Sequence, residues 1–104
     1  MLSIGVNRVI TTASVVVAAK DQVSSDLAGE TVILSLRTGM YYGLDRVGAR
    51  IWALLGAPTR VLDIRKALVD RYEVEPDRCE RDVVSFLQQL AVRELVDIRD
   101  EIAP

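Results

Sequence analysis

The chain is poor in the side chains that perform covalent chemistry. Among its 104 residues there is no histidine and one cysteine, Cys79. Without histidine, neither a Ser-His-Asp nor a Cys-His nucleophile can be assembled. One thiol cannot build a CxxC motif or a thiolate-rich metal site. Cys79 also falls on an apolar helical stripe with Val83, Phe86 and Leu90, where cysteine serves as a small hydrophobe. The six glycines are scattered at turns, and neither GxGxxG nor a P-loop occurs. Carboxylates remain. Asp70, Glu73, Glu75 and Asp77 crowd a junction between two helical patterns and offer hard oxygen ligands to a cation. A solvated acidic surface is the simpler reading. The expectation is a protein with no catalytic residue, no metal and no cofactor.

Residues suited to recognition are easier to find. Tyr41-Tyr42 lies in a strand-like run, where neighbours face opposite ways. One ring therefore enters the core and the other becomes a surface aromatic or a contact. Gly43 beside them leaves the backbone uncovered.

These residues belong to the stretch that organises the chain, 30–54. Thr31–Leu36 reads as a strand, with Val32, Leu34 and Leu36 on one face and Thr31, Ile33 and Ser35 on the other. Arg37-Thr38-Gly39 makes a three-residue hairpin loop, and Met40–Leu44 is the returning strand. Asp45 is an N-cap, followed by the stripe Val47, Ile51, Leu54. Upstream, Gln22–Leu27 and the turn Ala28-Gly29 complete a three-stranded meander, although Ser24, Ser25 and Asp26 favour strands poorly. Ser14–Ala19 has strand composition and is expected as an extra or edge strand within an arm, residues 1–19. Met1–Ala13 reads as irregular.

Three helices follow. The first covers about 46–55 and stops at Gly56, with Pro58 beyond. The second covers about 60–72, capped by Thr59, with the stripe Val61, Ile64, Leu68 and Tyr72. The third covers about 76–93, with Pro76 at its first position and Asp77 suiting the helix dipole. Leu95–Ile98 reads as a last short strand. The fold class is α+β, winged helix-turn-helix-like: a three-stranded antiparallel sheet followed by three helices, residues 20–104 forming the domain.

On the third helix, at about 100° per residue, Cys79, Val83, Phe86 and Leu90 share one side with Leu87 next to them. Val84, Gln88 and Ala91 widen that arc on one flank. Either the helix is deeply buried, or the flank of Val84, Leu87 and Ala91 lines a groove for a partner.

Composition limits the function classes. Half the residues are hydrophobic and 27% are charged, which describes a globular chain. Thirteen basic residues against fifteen acidic ones argue against a footprint built on phosphate contacts. The single cysteine suits a reducing compartment. There is no apolar run long enough to span a bilayer, and no basic start of a signal peptide. The expectation is a cytoplasmic protein with no membrane and no nucleic-acid partner.

The Gly-Glu turn at 29–30, the strand Tyr41-Tyr42-Gly43-Leu44, the Gly48-x-x-Ile51-Trp52 helix and the Arg81-Asp82-Val83 of the last helix together resemble the PqqD family. These are small domains that recognise ribosomally made precursor peptides destined for modification. Within the family the sequence is similar to stand-alone members of lasso peptide gene clusters, over about residues 22–98. The resemblance implies that the leader of a precursor adds as an antiparallel strand to Met40–Leu44, against the helix 76–93. It implies tyrosine and proline anchors on the leader. The residues expected to meet it are Tyr41, Tyr42, Gly43, Val84, Leu87, Gln88 and Ala91. Asp82, Ser85 and Gln89 form the alternative wall. The implied partners are the precursor leader peptide, a separate leader peptidase and a macrocycle-forming cyclase.

A different class is a winged-helix transcription regulator, which needs a basic exposed recognition helix. Arg60, Arg65, Lys66 and Arg71 on the second helix are its best candidates, diluted by Asp63 and Asp70. On the third helix Arg78, Arg81 and Arg93 meet Asp77, Glu80 and Asp82.

Overall fold

In chain order the elements are β1 (Val15–Ala18), β2 (Gln22–Leu27), β3 (Glu30–Ser35), β4 (Tyr41–Leu44), α1 (Arg46–Leu54), β5 (Thr59–Arg60), α2 (Val61–Arg71), α3 (Pro76–Val92) and β6 (Val96–Arg99). The computed structural model describes residues 9–99. The first part of the expected irregular arm, residues 1–8, lies outside that description.

Strands β2, β3 and β4 form an antiparallel sheet in that order. The first hairpin turns through Ala28 and Gly29, at φ of 55° and 86°. Two successive residues at positive φ match the right-handed twist of the strands they join. The second turns through Gly39, also at positive φ, whose N–H donates to the Ser35 carbonyl at 2.8 Å. Burial alternates along β3: Thr31, Ile33 and Ser35 face the core, while Val32 and Leu34 are half-covered on the outer face. The polar members of the inner row are satisfied locally. The Thr31 hydroxyl donates to Asp26 at 2.9 Å, and the Trp52 indole donates to the Ser24 hydroxyl at 3.2 Å. Those two contacts explain why Ser24 and Asp26 sit in a strand that their propensities disfavour.

Asp45 caps α1, its carboxylate accepting from Gly48 N at 2.8 Å. The buried stripe of α1 is Gly48, Ile51 and Trp52, continued by Leu55. Val47, expected on that stripe, is 43% exposed because the helix is rotated toward Trp52. Thr59 does not cap α2. It lies in β5, its hydroxyl donating to the carbonyls of Leu54 and Ala57. The first amides of α2 are satisfied from the arm instead: Val61 N donates to Ser14 O and Leu62 N to Thr12 O, at 3.0 and 3.2 Å. Pro76 opens α3, and the Glu75 side chain accepts from Asp77 N.

The strand at Val15–Ala18 is an extra strand, but it is not at an edge. It is the middle strand of a second antiparallel sheet ordered β5-β1-β6, paired with Thr59–Arg60 on one side and Val96–Arg99 on the other. Its neighbours are far apart in sequence, so composition could mark the strand without revealing its partners. Val16 and Ile10 enter the core with Ile33, Leu55, Ile64, Leu87 and Leu95.

Candidate functional site

Strand β4 is the last strand of its sheet, so one side of its backbone meets no further strand. The register decides which groups lie there. Thr31 pairs with Leu44, Val32 with Gly43, Ile33 with Tyr42 and Leu34 with Tyr41. Just before β4, Ser35 N donates to Met40 O at 2.9 Å. Bonded pairs alternate in an antiparallel ladder. Tyr42 and Leu44 therefore bond inward to β3, and the N–H and C=O groups of Tyr41 and Gly43 point to the open edge. The side chains follow the same alternation. Tyr42 turns toward α3 and packs half-buried on the core, and Tyr41 stands on the outer face, 69% exposed.

The edge of β4 borders a groove of about 670 Å³. Gly43 and Leu44 stand on one side; Asp82, Val83 and Phe86 of α3 stand on the other. The first turns of α1 form part of the floor. Gly48 lets the Phe86 ring sit close, since a Cβ there would come within 3.2 Å of the ring and push it by a few tenths of an ångström. Outside the lining of this groove, Arg93 lies over the Tyr42 ring, 5.9 Å from its centroid, while donating to Gln89 O at 3.0 Å.

The charged residues of this groove's lining are the carboxylates of Asp45, Glu73, Glu75 and Asp82, with Arg78 as the one cation among them. Cys79 lies below it, buried and unpaired in a disulfide. Burial, then the Asp82 charge, push its thiol above the ordinary range, and Arg65 opposes them. That thiol is a poor nucleophile at neutral pH. Among the described residues no three His, Cys, Asp or Glu side chains converge as a metal site. No helix among them is long and apolar enough to cross a membrane.

The expected site residues divide. Tyr41, Tyr42 and Gly43 lie together at the open edge. The expected helix residues do not face them. Leu87 is completely buried in the core and offers no surface to a partner. Val84 and Gln88 border another hollow of about 790 Å³ across from Val9–Thr12, and Gln88 Oε1 accepts from Ile10 N at 3.4 Å. Ala91 is half-buried near Ala19 and the Arg37–Glu94 ion pair. Of the alternative wall, Asp82 faces the β4 groove, whereas Ser85 and Gln89 border the second hollow. Phe86 was expected in the core stripe and stands instead at its margin, toward β4. A helical wheel fixes the angle between Phe86 and Val84 but not which of them looks at the sheet. The arm residues 9–12, packed across the Val84 flank, decide that.

A family model described as Coenzyme PQQ synthesis protein D (PqqD) matches residues 30–96. No curated protein matches the chain. Among solved structures, TbiB1 in complex with the TbiA(beta) leader peptide is 39% identical. The match covers 85% of this chain and 99% of that one, with a TM-score of 0.75. A lasso peptide synthetase B1 complexed with the leader peptide is 23% identical over 79% of this chain and 96% of its own, TM-score 0.72. The PqqD truncation of Methylobacterium extorquens PqqCD, solved in solution as a stand-alone recognition element for ribosomally synthesised, post-translationally modified peptides, is 17% identical. It covers 88% of this chain and 97% of its own, TM-score 0.73. The last two establish a shared fold.

Proposed function

The chain belongs to the PqqD family, and from that premise we propose that it is a non-catalytic binding protein for the leader of a ribosomal precursor peptide. The observation that carries this reading is the open β4 edge beside the α3 groove, in a chain 39% identical to a protein solved with a leader peptide bound. The leader adds to β4 as an antiparallel strand. Main-chain bonds from Tyr41 and Gly43 supply affinity, and its inward side chains enter the groove between Leu44 and Phe86. Leu44, Val83 and Phe86 give that groove the apolar walls that aromatic or proline anchors need.

The work done on the precursor is delivery. A held leader raises the local concentration of the rest of the peptide around a separate leader peptidase and a macrocycle-forming cyclase. Covalent chemistry resides in those partners, and the product class is lasso peptides, made in the cytoplasm. The regulator reading gains no support, because α3 mixes Asp77, Glu80 and Asp82 with Arg78 and Arg81 and presents no basic face for phosphates.

Amide hydrogen exchange with saturating TbiA(beta) leader peptide tests the proposal. The N–H groups of Tyr41 and Gly43 should gain protection, while those of Tyr42 and Leu44 are protected already. The peptide's mass should stay unchanged throughout. No gain at the β4 edge, or cleavage that follows the protein through purification, refutes it.

A further inference from the structure

The outer face of the β2-β3-β4 sheet is apolar and only partly covered. Val23, Leu34 and Tyr41 stand opposite one another across the three strands, and the next row is Ser25, Val32 and Gly43. Neither row carries a charged residue. Val32 and Leu34 are half-buried, while Val23 and Tyr41 are 53% and 69% exposed. Gly43 leaves a gap at the β4 end of its row, where a Cβ would meet nothing within 4 Å. Val32 therefore has no side chain beside it on β4. Side chains alternate along a strand, so a leader paired with β4 cannot place all of its side chains in the groove beside α3. Tyr41 and Gly43 hold the outward N–H and C=O groups, and both belong to the outer face. The leader residues that bond to them put their side chains on that face as well.

Resting on that strand-addition reading, we propose that the leader is read on the outer face too: its residue opposite Gly43 is a large apolar one, above all an aromatic, that lies across Gly43 onto Val32. The leader strand and β3 are two strand spacings apart, about 9.5 Å, with β4 between them. A ring reaching over a glycine bridges most of that distance, whereas a short side chain leaves the gap open. Tyr41 is diagonal to the same leader residue and supplies a second wall. Val32 and Tyr41 are thus specificity-determining residues outside the groove.

The probe is the TbiA(beta) leader peptide. Its register on β4 is set first by NMR, because the leader residue opposite Tyr42 forms a non-hydrogen-bonded pair with a short Hα–Hα contact. The leader residue one position earlier then stands opposite Gly43. Phe, Ala or Lys is placed at that position, and affinities are measured by titration calorimetry. The Phe peptide should bind about fivefold more tightly than the Ala and Lys peptides, and its ring should contact the Val32 methyl groups. In a Val32→Thr, Tyr41→Ala protein, checked by thermal melts, the advantage of Phe should shrink below about twofold. Tyr41→Ala alone serves where the double variant melts early. Equal affinities for the three peptides, while the leader still pairs with Tyr42, overturn the outer subsite and leave leader capture standing. The same gain from Phe placed beyond the paired segment overturns it too, since it would report added hydrophobicity alone. A free protein that sediments as a dimer, and is dissociated by Tyr41→Ala, has a second copy on this face, which also overturns the subsite. A leader that makes no Hα contact with Tyr42, or does not bind, overturns strand addition at β4 and the subsite with it.

Discussion

Replacing Gly43 by proline separates the edge of β4 from its ladder. Proline removes the amide N–H and fixes φ near −65°. Gly43 is not in the left-handed region, and a Cβ there would meet nothing within 4 Å, so the ring has space. The residue before it, Tyr42, is already extended in β4, as proline demands of its predecessor. The lost N–H is an outward one by the alternation set from Met40, so the β3–β4 ladder keeps all its bonds. The loss of one main-chain bond costs about 0.5–1.5 kcal/mol net, or roughly 2- to 13-fold in affinity for a leader. Gly43→Ala keeps the N–H and should bind within about twofold of wild type. Tyr42→Pro cuts an inward bond and should lose cooperative unfolding altogether, with Tyr42→Ala as the control for the ring. The assay is calorimetric titration with the TbiA(beta) leader peptide, each variant first checked by a thermal melt. A Gly43→Pro protein that melts like wild type and binds the leader at wild-type strength refutes strand addition at this edge.

Three further outcomes are expected. Leu87→Ala should cost about 2–5 kcal/mol of stability in urea titration, a large part of the total for a domain of this size, while the folded fraction binds leader within about twofold of wild type; weakened binding at full folding would put Leu87 back in the contact surface. Phe86→Ala should weaken leader binding about tenfold or more, whereas Val84→Ser should leave it unchanged, with circular dichroism confirming both folds; the opposite order would move the groove to the Val9–Thr12 side. Cys79 has a thiol pKa raised by burial, so its protonated form is favoured in the fold. Its contribution to stability should be complete below the ordinary thiol value of 9.0 and fade as pH rises above it. Cys79→Ala should remove that alkaline slope in pH-dependent melts, and an unchanged slope would assign it to other groups.

The sheet, its turns and the three helices were legible because local chemistry decides them. Alternation marks β3, Ala28-Gly29 and Gly39 mark the turns, and Asp45 and Pro76 mark helix starts. Tyr41 and Tyr42 were readable as one ring in and one out, but not which, since parity needs a register. What stayed hidden is long-range. Thr59 has the chemistry of an N-cap, yet the amides of α2 are claimed by Ser14 and Thr12, more than 40 residues upstream. Likewise α3 shows apolar residues on both flanks of its buried stripe. By sequence the flank of Val84 and Gln88 reads as the wall of a groove, yet residues 9–12 lie across from it, and which flank meets the sheet depends on where a distant segment runs.

The place of β1 bears on how this domain comes off the ribosome. Its two ladder partners are made later: Thr59–Arg60 some forty residues on, and Val96–Arg99 almost at the end of the described chain. At the usual pace of synthesis, roughly 4–16 s pass between Ala18 and Arg99. During that interval β2, β3 and β4 can already pair with one another, since their connections are tight hairpins. Val15–Ala18 meanwhile carries an unclosed row of amides and carbonyls and three valines, the kind of segment that sticks to other nascent chains. The β4 edge can thus pair early, and the seal that joins the two ends of the described chain must wait for Val96–Arg99.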